Sequence, residues 1–300
     1  MKIKEYGFVD ISRKDGASFT LTSNLTEDEE TLLISCLPFG EVKRSSKIFK
    51  QKSILGNTFI SLIRVEEDGS GKGILVKLPK PHGVISNPVM LLSQLDESLE
   101  SLALNQITEL EIRSDLEQQK VPPFRVTNSE VLISSILAGI PTYVLGTHEQ
   151  VTGIMSYLYT LFPPELHTFL DITSQTSSFS DNTFIMGIPI SLPNLERLDQ
   201  LSSEKNTVVF VDNNTCYGNY STPLTKKIAK LAGRGKYVEG RQEIQNLYQL
   251  AIQDGDVAVN IAEFAKANKM SASDATLVIK LRSRLFNKKT NLSHFERLIA

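Results

Sequence analysis

The chain has 300 residues and a mass of 33.4 kDa, which predicts two domains with room for a small third unit. Its net charge of −2, from 32 basic and 34 acidic residues, excludes a global basic field of the kind that attracts nucleic acid or an anionic membrane. With only Cys36 and Cys216, a disulfide scaffold and a cysteine-rich zinc module are excluded.

The N-terminal residues predict a β-hairpin. Apolar and polar residues alternate over 6–11 and again over 17–21. Asp15 and Gly16, between the two runs, form a dipeptide that is typical of hairpin turns.

A helix is predicted directly after this hairpin. Thr26, followed three residues later by Glu29, forms a capping box, and the acidic first turn suits the helix dipole. Pro38 and Gly40 end the helix. We interpret the carboxylates of Glu29 and Glu30 as solvated groups of an exposed helix start.

The remainder of residues 1–120 completes an α+β domain with an antiparallel sheet. Residues 43–52 are basic and without a clear period, which indicates an exposed loop or an edge strand. A second hairpin is predicted from 58–65 and 73–78, joined by a glycine-rich turn. Leucine spacings of three and four then predict a helix over 89–119.

Residues 121–217 have a different pattern, in which short apolar strands alternate with helices. Helices are predicted over 129–137, 149–161 and 192–201, and strands over 141–145, 167–172, 183–188 and 207–212. Apolar strands of this kind are typical of a buried, mainly parallel sheet in an α/β domain. We expect residues 173–182 to form a polar loop and 213–221 a turn-rich linker.

Residues 218–300 predict a helical subdomain. Its helices are expected over 222–232, 239–252, 256–268 and 273–286. The last two have the shape of a helix-turn-helix pair, and a basic side of the second would suit a nucleic-acid-binding regulator. The alternative is that the basic side of this helix is exposed to solvent and binds no partner. The basic residues are Lys280, Arg282, Arg284, Lys288 and Lys289.

Other local patterns do not point to a cofactor or a metal, and we predict none. The run GSGKG at 69–73 lacks the strand-then-helix context of a phosphate loop, because Lys72 precedes a glycine and another strand. None of the four histidines has zinc-ligand spacing. Asp212 ends a buried strand, where α/β proteins often bind ligands, but the following DNNTCYGN favours a turn.

The basic segment around Arg44 is the main candidate surface. It carries Lys43, Arg44, Lys47, Lys50 and Lys52, which would suit an acidic partner or a nucleotide phosphate. An arginine on a loop is also able to stabilise phosphoryl transfer in a GTPase complex. The alternative is a solvent-exposed loop without a partner.

The middle third resembles the central part of a DENN domain. The order is a helix, a short apolar strand, a helix that ends at a Leu-Phe-Pro break, further apolar strands and a final strand ending in Asp. The segments that carry the resemblance are EVLISSILAGIPTYVLG (130–146), GIMSYLYTLFPPELHTFLDI (153–172), FIMGIP (184–189) and VVFVDNN (208–214).

The resemblance implies a longin-like domain at 1–120, a central DENN-like domain at 121–217 and a helical subdomain at 218–300. It also implies a regulator of a small Ras/Rab-like GTPase, acting in membrane trafficking as a guanine-nucleotide exchange factor or as a GTPase-binding scaffold. The resemblance thus implies a GTPase regulator rather than a metabolic enzyme. The chain lacks the long insertions common in eukaryotic members of the family.

Within this family, one branch forms longin-DENN heterodimers that stimulate GTP hydrolysis with a loop arginine. The resemblance makes Arg44 the catalytic candidate of that alternative, and Lys43, Lys47 and Lys72 the residues that contact the GTPase. Lys72 would be a poor substitute for the arginine, because an ammonium group cannot grip a phosphoryl group with two parallel hydrogen bonds.

The expected location is the cytoplasm, with peripheral membrane association through the GTPase. The first residues lack the apolar segment of a secretory signal, and no window approaches the roughly 18 apolar residues of a membrane span. The expected partners are a small GTPase and, in the heterodimeric alternative, a second longin-DENN protein.

Overall fold

Strands dominate the first half of the chain and helices the last third. The computed structural model describes residues 2–3, 6–12, 18–34, 46–54, 57–68, 70–78, 95–97, 99, 110–111, 125–167, 170, 172–173, 185–188, 206–253 and 261–299. The strands are β1 (Lys2–Ile3), β2 (Tyr6–Ser12), β3 (Ser18–Ser23), β4 (Ser46–Ile54), β5 (Asn57–Val65), β6 (Gly71–Lys77), β7 (Leu110–Glu111), β8 (Thr142–Leu145), β9 (Ile172–Thr173), β10 (Ile185–Ile188), β11 (Thr207–Phe210) and β12 (Thr215–Tyr217). The helices are α1 (Glu27–Ile34), α2 (Ser129–Ala138), α3 (His148–Leu161), α4 (Pro164–His167), α5 (Pro223–Ala232), α6 (Tyr237–Ile252), α7 (Ile261–Ala267) and α8 (Ala272–Ile299).

Ten strands form one mixed sheet in the order β12-β11-β8-β10-β9-β4-β5-β6-β2-β3. Strands β11, β8, β10 and β9 are parallel, and we call them the parallel half. Strands β4, β5, β6, β2 and β3 are antiparallel, and we call them the antiparallel half. Strands β1 and β7 form a separate antiparallel pair. The chain therefore has a mixed α+β fold.

The two halves meet through β4 and β9. These strands are antiparallel, and Lys50 is paired with Thr173 and Gln51 with Ile172. The segment 43–52 was expected to be an exposed loop or an edge strand, but its described part belongs to β4, which lies inside the sheet between β9 and β5. The second neighbour of β4 comes from more than a hundred residues further along the chain, so local sequence contained no sign of it.

Both predicted N-terminal hairpins are confirmed. Strand β2 pairs with β3, and β5 pairs with β6. The turn after β5 is held by Asp68, whose carboxylate accepts hydrogen bonds from the backbone N–H (2.8 Å) and hydroxyl (2.6 Å) of Ser70. A side chain at Gly71 would come within 2.2 Å of the carbonyl oxygen of Arg64. The start of β6 therefore requires glycine.

Helix α1 begins with the predicted capping box, but the interpretation of Glu29 as a solvated group was wrong. The Glu29 N–H donates to the Thr26 hydroxyl and the Thr26 N–H donates to the Glu29 carboxylate. Glu29 is only 4% exposed and forms a 2.9 Å ion pair with Lys77 of β6. The capping residue therefore also ties α1 to the sheet.

The parallel half follows the predicted alternation of strands and helices. Helix α2 ends at Gly139, which has a positive φ of 76°. Helix α3 begins with a capping box between Thr147 and Gln150. The helix predicted over 192–201 and most of the loop predicted over 173–182 lie outside the described residues.

Three local predictions were wrong. The expected strand over 167–172 begins as a helical turn, and the His167 ring contacts the carbonyl oxygen of Phe162 at 3.0 Å. The expected linker over 213–221 contains strand β12, which closes a hairpin with β11. The helix expected over 89–119 is described as helical only at 95–97 and 99, whereas 110–111 form β7.

The C-terminal helices pack on the helices of the parallel half. Arg241 of α6 donates from Nε to the carbonyl oxygen of Thr160 in α3, at 3.0 Å. The buried hydroxyls of Ser134 in α2 and Thr225 in α5 are hydrogen bonded at 2.7 Å. Helix α8 continues to Ile299, beyond the predicted end.

A single buried apolar cluster connects both halves of the sheet with these helices. It includes Leu62 of β5, Ile74 of β6, Leu158 of α3, Leu247 of α6 and Leu281 of α8. Among the described helices, none has the length and apolar character needed to cross a bilayer.

Candidate functional site

Four charged residues are adjacent across the antiparallel half of the sheet. Asp10 of β2 is paired with Lys72 of β6, Lys72 with Arg64 of β5, and Arg64 with Lys47 of β4. Residues directly opposite each other in neighbouring strands belong to the same face of a sheet. We call these four residues the charged row.

The charged row follows an apolar row on the same face. Two residues along each strand, Phe8, Ile74 and Leu62 are neighbours across β2, β6 and β5, and all three are buried. Leu95 and Leu99 belong to the same buried cluster. The core therefore ends where the row begins, which brings charged groups to the boundary between the core and solvent.

Arg64 is held in place by an ion pair. Its Nε lies 2.7 Å from a carboxylate oxygen of Asp96, and the two side chains are 25% and 22% exposed. The contact connects β5 to the helical residues 95–97. Because it is partly buried, it orders the Arg64 guanidinium more than a fully exposed pair would.

A cavity of about 270 Å³ opens beside the row. Asp10, Glu66 and Ser70 line it together with Arg64 and Lys72. The cations suit a carboxylate or a phosphate, and the carboxylates suit a basic group. Because cations and carboxylates both line the cavity, it is better suited to bind a protein surface with charges of both signs than a purely anionic ligand.

The structure brings together some of the predicted contact residues. Lys47 and Lys72 occupy the same charged row, separated by Arg64. Lys72 is exposed and lies within strand β6, not at the hairpin tip. Lys43 and Arg44 lie outside the described residues and precede β4 in the chain.

Sequence reasoning missed Arg64 and its partner Asp96. Arg64 has the same alternation phase as the apolar residues Ile60 and Leu62 of β5. A charged residue at a position where the alternation predicts an apolar one was the signal that could have identified Arg64. Its neighbours on the sheet could not be predicted, because they depend on the register of β5 against β6. The partner Asp96 is 32 residues away in sequence.

Cys216, His167 and the acidic groups of the described residues are poorly placed to act as a nucleophile or to bind a metal ion. Burial raises the pKa of the Cys216 thiol to about 12, so the reactive thiolate is scarce near neutral pH. The buried His167 ring packs edge-on against Tyr159, with ring centroids 5.1 Å apart. Among the described residues, no group of three His, Cys, Asp or Glu side chains is arranged to hold a metal ion.

Asp212 lies in the turn that was predicted after β11. Its carboxylate accepts a 2.9 Å hydrogen bond from the side-chain amide of Gln150 in the first turn of α3. The contact connects the end of a parallel strand to the helix that follows its neighbour β8. This hydrogen bond gives Asp212 a structural role, because it holds the start of α3 beside the end of β11.

The described cations of α8 are engaged within the chain. The ammonium group of Lys280 lies 4.2 Å from the centre of the Tyr220 ring. Arg282 is 8% exposed and packs against Phe286. Arg284 donates to the carbonyl oxygen of Ile136 at the end of α2. These contacts give Arg282 and Arg284 a packing role within the chain, and the nucleic-acid alternative stays a prediction.

No family model matches the sequence, and no curated protein matches it. The charged row and the segments that resemble a DENN domain are therefore the features that bear on function.

Proposed function

We propose that the chain regulates a small Ras/Rab-like GTPase, as a guanine-nucleotide exchange factor or as a GTPase-binding scaffold. The observation that carries this proposal is the order of elements. Strands β2 and β3, helix α1, strands β5 and β6 and the helical residues 95–97 follow one another in the order expected of a longin-like domain, with β1 and β4 as additional strands. Helix α2, strand β8, helix α3 and strands β9, β10 and β11 then follow in the order of the segments that resemble a DENN domain.

The charged row supplies the proposed contact surface. Switch regions of a GTPase would meet Lys72, the flanking carboxylates and the cavity beside them. Exchange activity requires surface complementarity and not a proton-transfer group, and a surface of alternating charge is able to supply such complementarity. The cytoplasmic location and peripheral membrane association belong to the same proposal.

Nucleotide kinetics test the proposal. Release of a fluorescent GDP analogue and production of phosphate are followed for a panel of small GTPases, with and without this chain. Faster GDP release is the expected result for an exchange factor, and binding without a change in either rate is the result for a scaffold. Absence of binding to every member of the panel would contradict both.

A charge reversal tests the surface. Lys72→Glu would put a third carboxylate beside Asp10 and Glu66, and we expect the affinity for the GTPase to fall about tenfold or more. The matched control is Lys226→Glu, which makes the same change at an exposed position in the first turn of α5. Equal affinities of the two variants would remove the charged row from the interface.

The alternative is a GTPase-activating subunit that uses Arg44. In that case, phosphate production is accelerated and Arg44→Ala abolishes the acceleration. Full stimulation by this variant would eliminate Arg44 as the catalytic arginine.

A further inference from the structure

The turn between α5 and α6 carries a local excess of positive charge. Residues 223–243 contain six basic and two acidic residues, although the whole chain has a net charge of −2. Four of these cations lie near the turn and are exposed to solvent. We call them the basic corner, and they are Lys227, Lys230, Arg234 and Lys236.

Both acidic residues of this segment already form an ion pair with a member of the basic corner. The pairs are Lys227–Glu243 at 2.8 Å and Lys236–Glu239 at 3.7 Å. The second pair is weak, because both of its side chains are more than half exposed. The other two cations, Lys230 and Arg234, give the corner an excess of positive charge that the segment itself does not neutralise.

The backbone holds the basic corner in a defined conformation. The N–H groups of Arg234 and Lys236 both donate to the carbonyl oxygen of Leu231, each at 3.0 Å. Gly235, between them, has a positive φ of 74°, which glycine adopts without strain. The corner is therefore a preformed surface on which the cations have fixed attachment points.

An apolar side chain protrudes beside these cations. Val238, in the first turn of α6, is 79% exposed. The preceding residue, Tyr237, packs edge-on against the buried Tyr157 of α3, with ring centroids 6.0 Å apart. This contact anchors the start of α6 on the body of the protein, so Val238 projects from a fixed position.

We propose that the basic corner binds the surface of an anionic membrane, with Val238 inserted among the lipid headgroups. Each lysine or arginine close to an anionic bilayer is attracted to it, and an exposed aliphatic side chain is stabilised when it leaves water for the headgroup boundary. Nucleic acid is the less suitable partner, because its readers combine cations with stacking aromatic rings or groups that bond base edges. Val238 provides neither.

Vesicle binding by the full chain, with no GTPase present, tests this proposal independently of the proposed GTPase regulation. We expect binding to phosphatidylcholine vesicles only when they contain phosphatidylserine, and weaker binding as salt rises, because salt screens the attraction. Lys230→Gln combined with Arg234→Gln should lower the affinity about tenfold or more. The matched control is Lys266→Gln at an exposed position of α7, which should bind like wild type.

Two results of the vesicle experiment would overturn the proposal. One is a wild-type chain that does not bind the phosphatidylserine vesicles, and the other is a double variant that binds them as tightly as wild type. Binding to duplex DNA but not to the vesicles would assign the corner to nucleic acid and would also overturn it.

A tryptophan reporter tests the insertion of residue 238. The chain contains no tryptophan, so Val238→Trp supplies a single indole whose emission shifts to shorter wavelength when the ring leaves water. We expect this shift on phosphatidylserine vesicles. Ile252→Trp, at the opposite end of α6 and also exposed, is the control and should not shift. Unshifted emission from Val238→Trp on vesicles that bind the chain would contradict the proposed insertion.

Discussion

In the antiparallel half of the sheet, Lys72 is exposed and Arg64 is half-buried at the end of the core, whereas in the parallel half polar side chains are buried under helices. The hydroxyls of Ser134 and Thr225 are fully buried and bonded to each other. Arg241 bonds a backbone carbonyl of a neighbouring helix. Polar groups thus hold together the helices that pack on the parallel half, whereas in the charged row of the antiparallel half Lys72 is exposed to solvent. Substitutions should affect stability most in the parallel half.

The largest effect is expected in the core of the parallel half. Phe162 follows α3 and is 1% exposed. Phe162→Ala should lower the free energy of unfolding by about 3–5 kcal/mol, because it removes buried apolar contacts and leaves a cavity. Urea denaturation measures this change. The control is Val238→Ala at a residue that is 79% exposed, where we expect a change of less than about 0.5 kcal/mol. Similar losses in both would contradict the packing described for Phe162.

An intermediate effect is expected where α8 meets α2. Arg284→Met keeps much of the side-chain volume but removes the donor to the Ile136 carbonyl oxygen at the end of α2. We expect a loss of about 1.5–3 kcal/mol, typical of a hydrogen bond from a charged group. Thermal and urea unfolding measure it, with Lys230→Met on the exposed face of α5 as the control. If Arg284→Met left the free energy of unfolding unchanged, this contact would not stabilise the packing of α8 against α2.

The smallest effect concerns the antiparallel half and depends on pH. Burial alone would raise the pKa of Glu29, but hydrogen bonds and the charge of Lys77, together with bonds from Thr26, outweigh it, and the net pKa is lowered from 4.5. Because the folded pKa lies below the unfolded one, the stabilisation is complete above pH 4.5 and is lost as the pH falls through the folded pKa. Glu29→Gln should therefore reduce stability by about 1 kcal/mol at neutral pH and less in acid.

Urea denaturation at several pH values tests the Glu29 prediction. The difference in unfolding free energy between wild type and Glu29→Gln should shrink as the pH decreases below the ordinary range of a glutamate. A difference that is constant with pH would show that the Glu29–Lys77 ion pair does not contribute through its charge.

Features controlled by neighbouring residues could be predicted from the sequence. The capping box of Thr26 and Glu29 and the helix stop at Gly139 require only a few adjacent residues, and the two hairpins require only the alternation on either side of a turn. The mixed α+β class followed from these elements. The alternation between 129 and 212 likewise predicted the parallel strands.

Features that depend on distant residues could not be predicted. The burial of Glu29 depends on its ion pair with Lys77, and the fixed position of the Arg64 side chain depends on its ion pair with Asp96. The sequence around Lys77 and Asp96 does not identify them as these partners. Strand β12 is a three-residue strand within a turn-rich sequence, and only its pairing with β11 distinguishes it from a loop. Of the predicted site, Lys47 and Lys72 are adjacent to Arg64 in register, whereas the hypothesis for Arg44 stays a prediction.

The pairing of β4 with β9 also has a consequence for biosynthesis. Strand β4 is complete once residue 54 has been made, but its neighbour β9 ends at Thr173. A ribosome must therefore add more than a hundred residues before the sheet can close along β4. During that interval the nascent chain exposes one long edge at β4, and such edges are sites of intermolecular strand pairing. Slow synthesis between residues 54 and 173 would prolong the interval in which nascent chains aggregate.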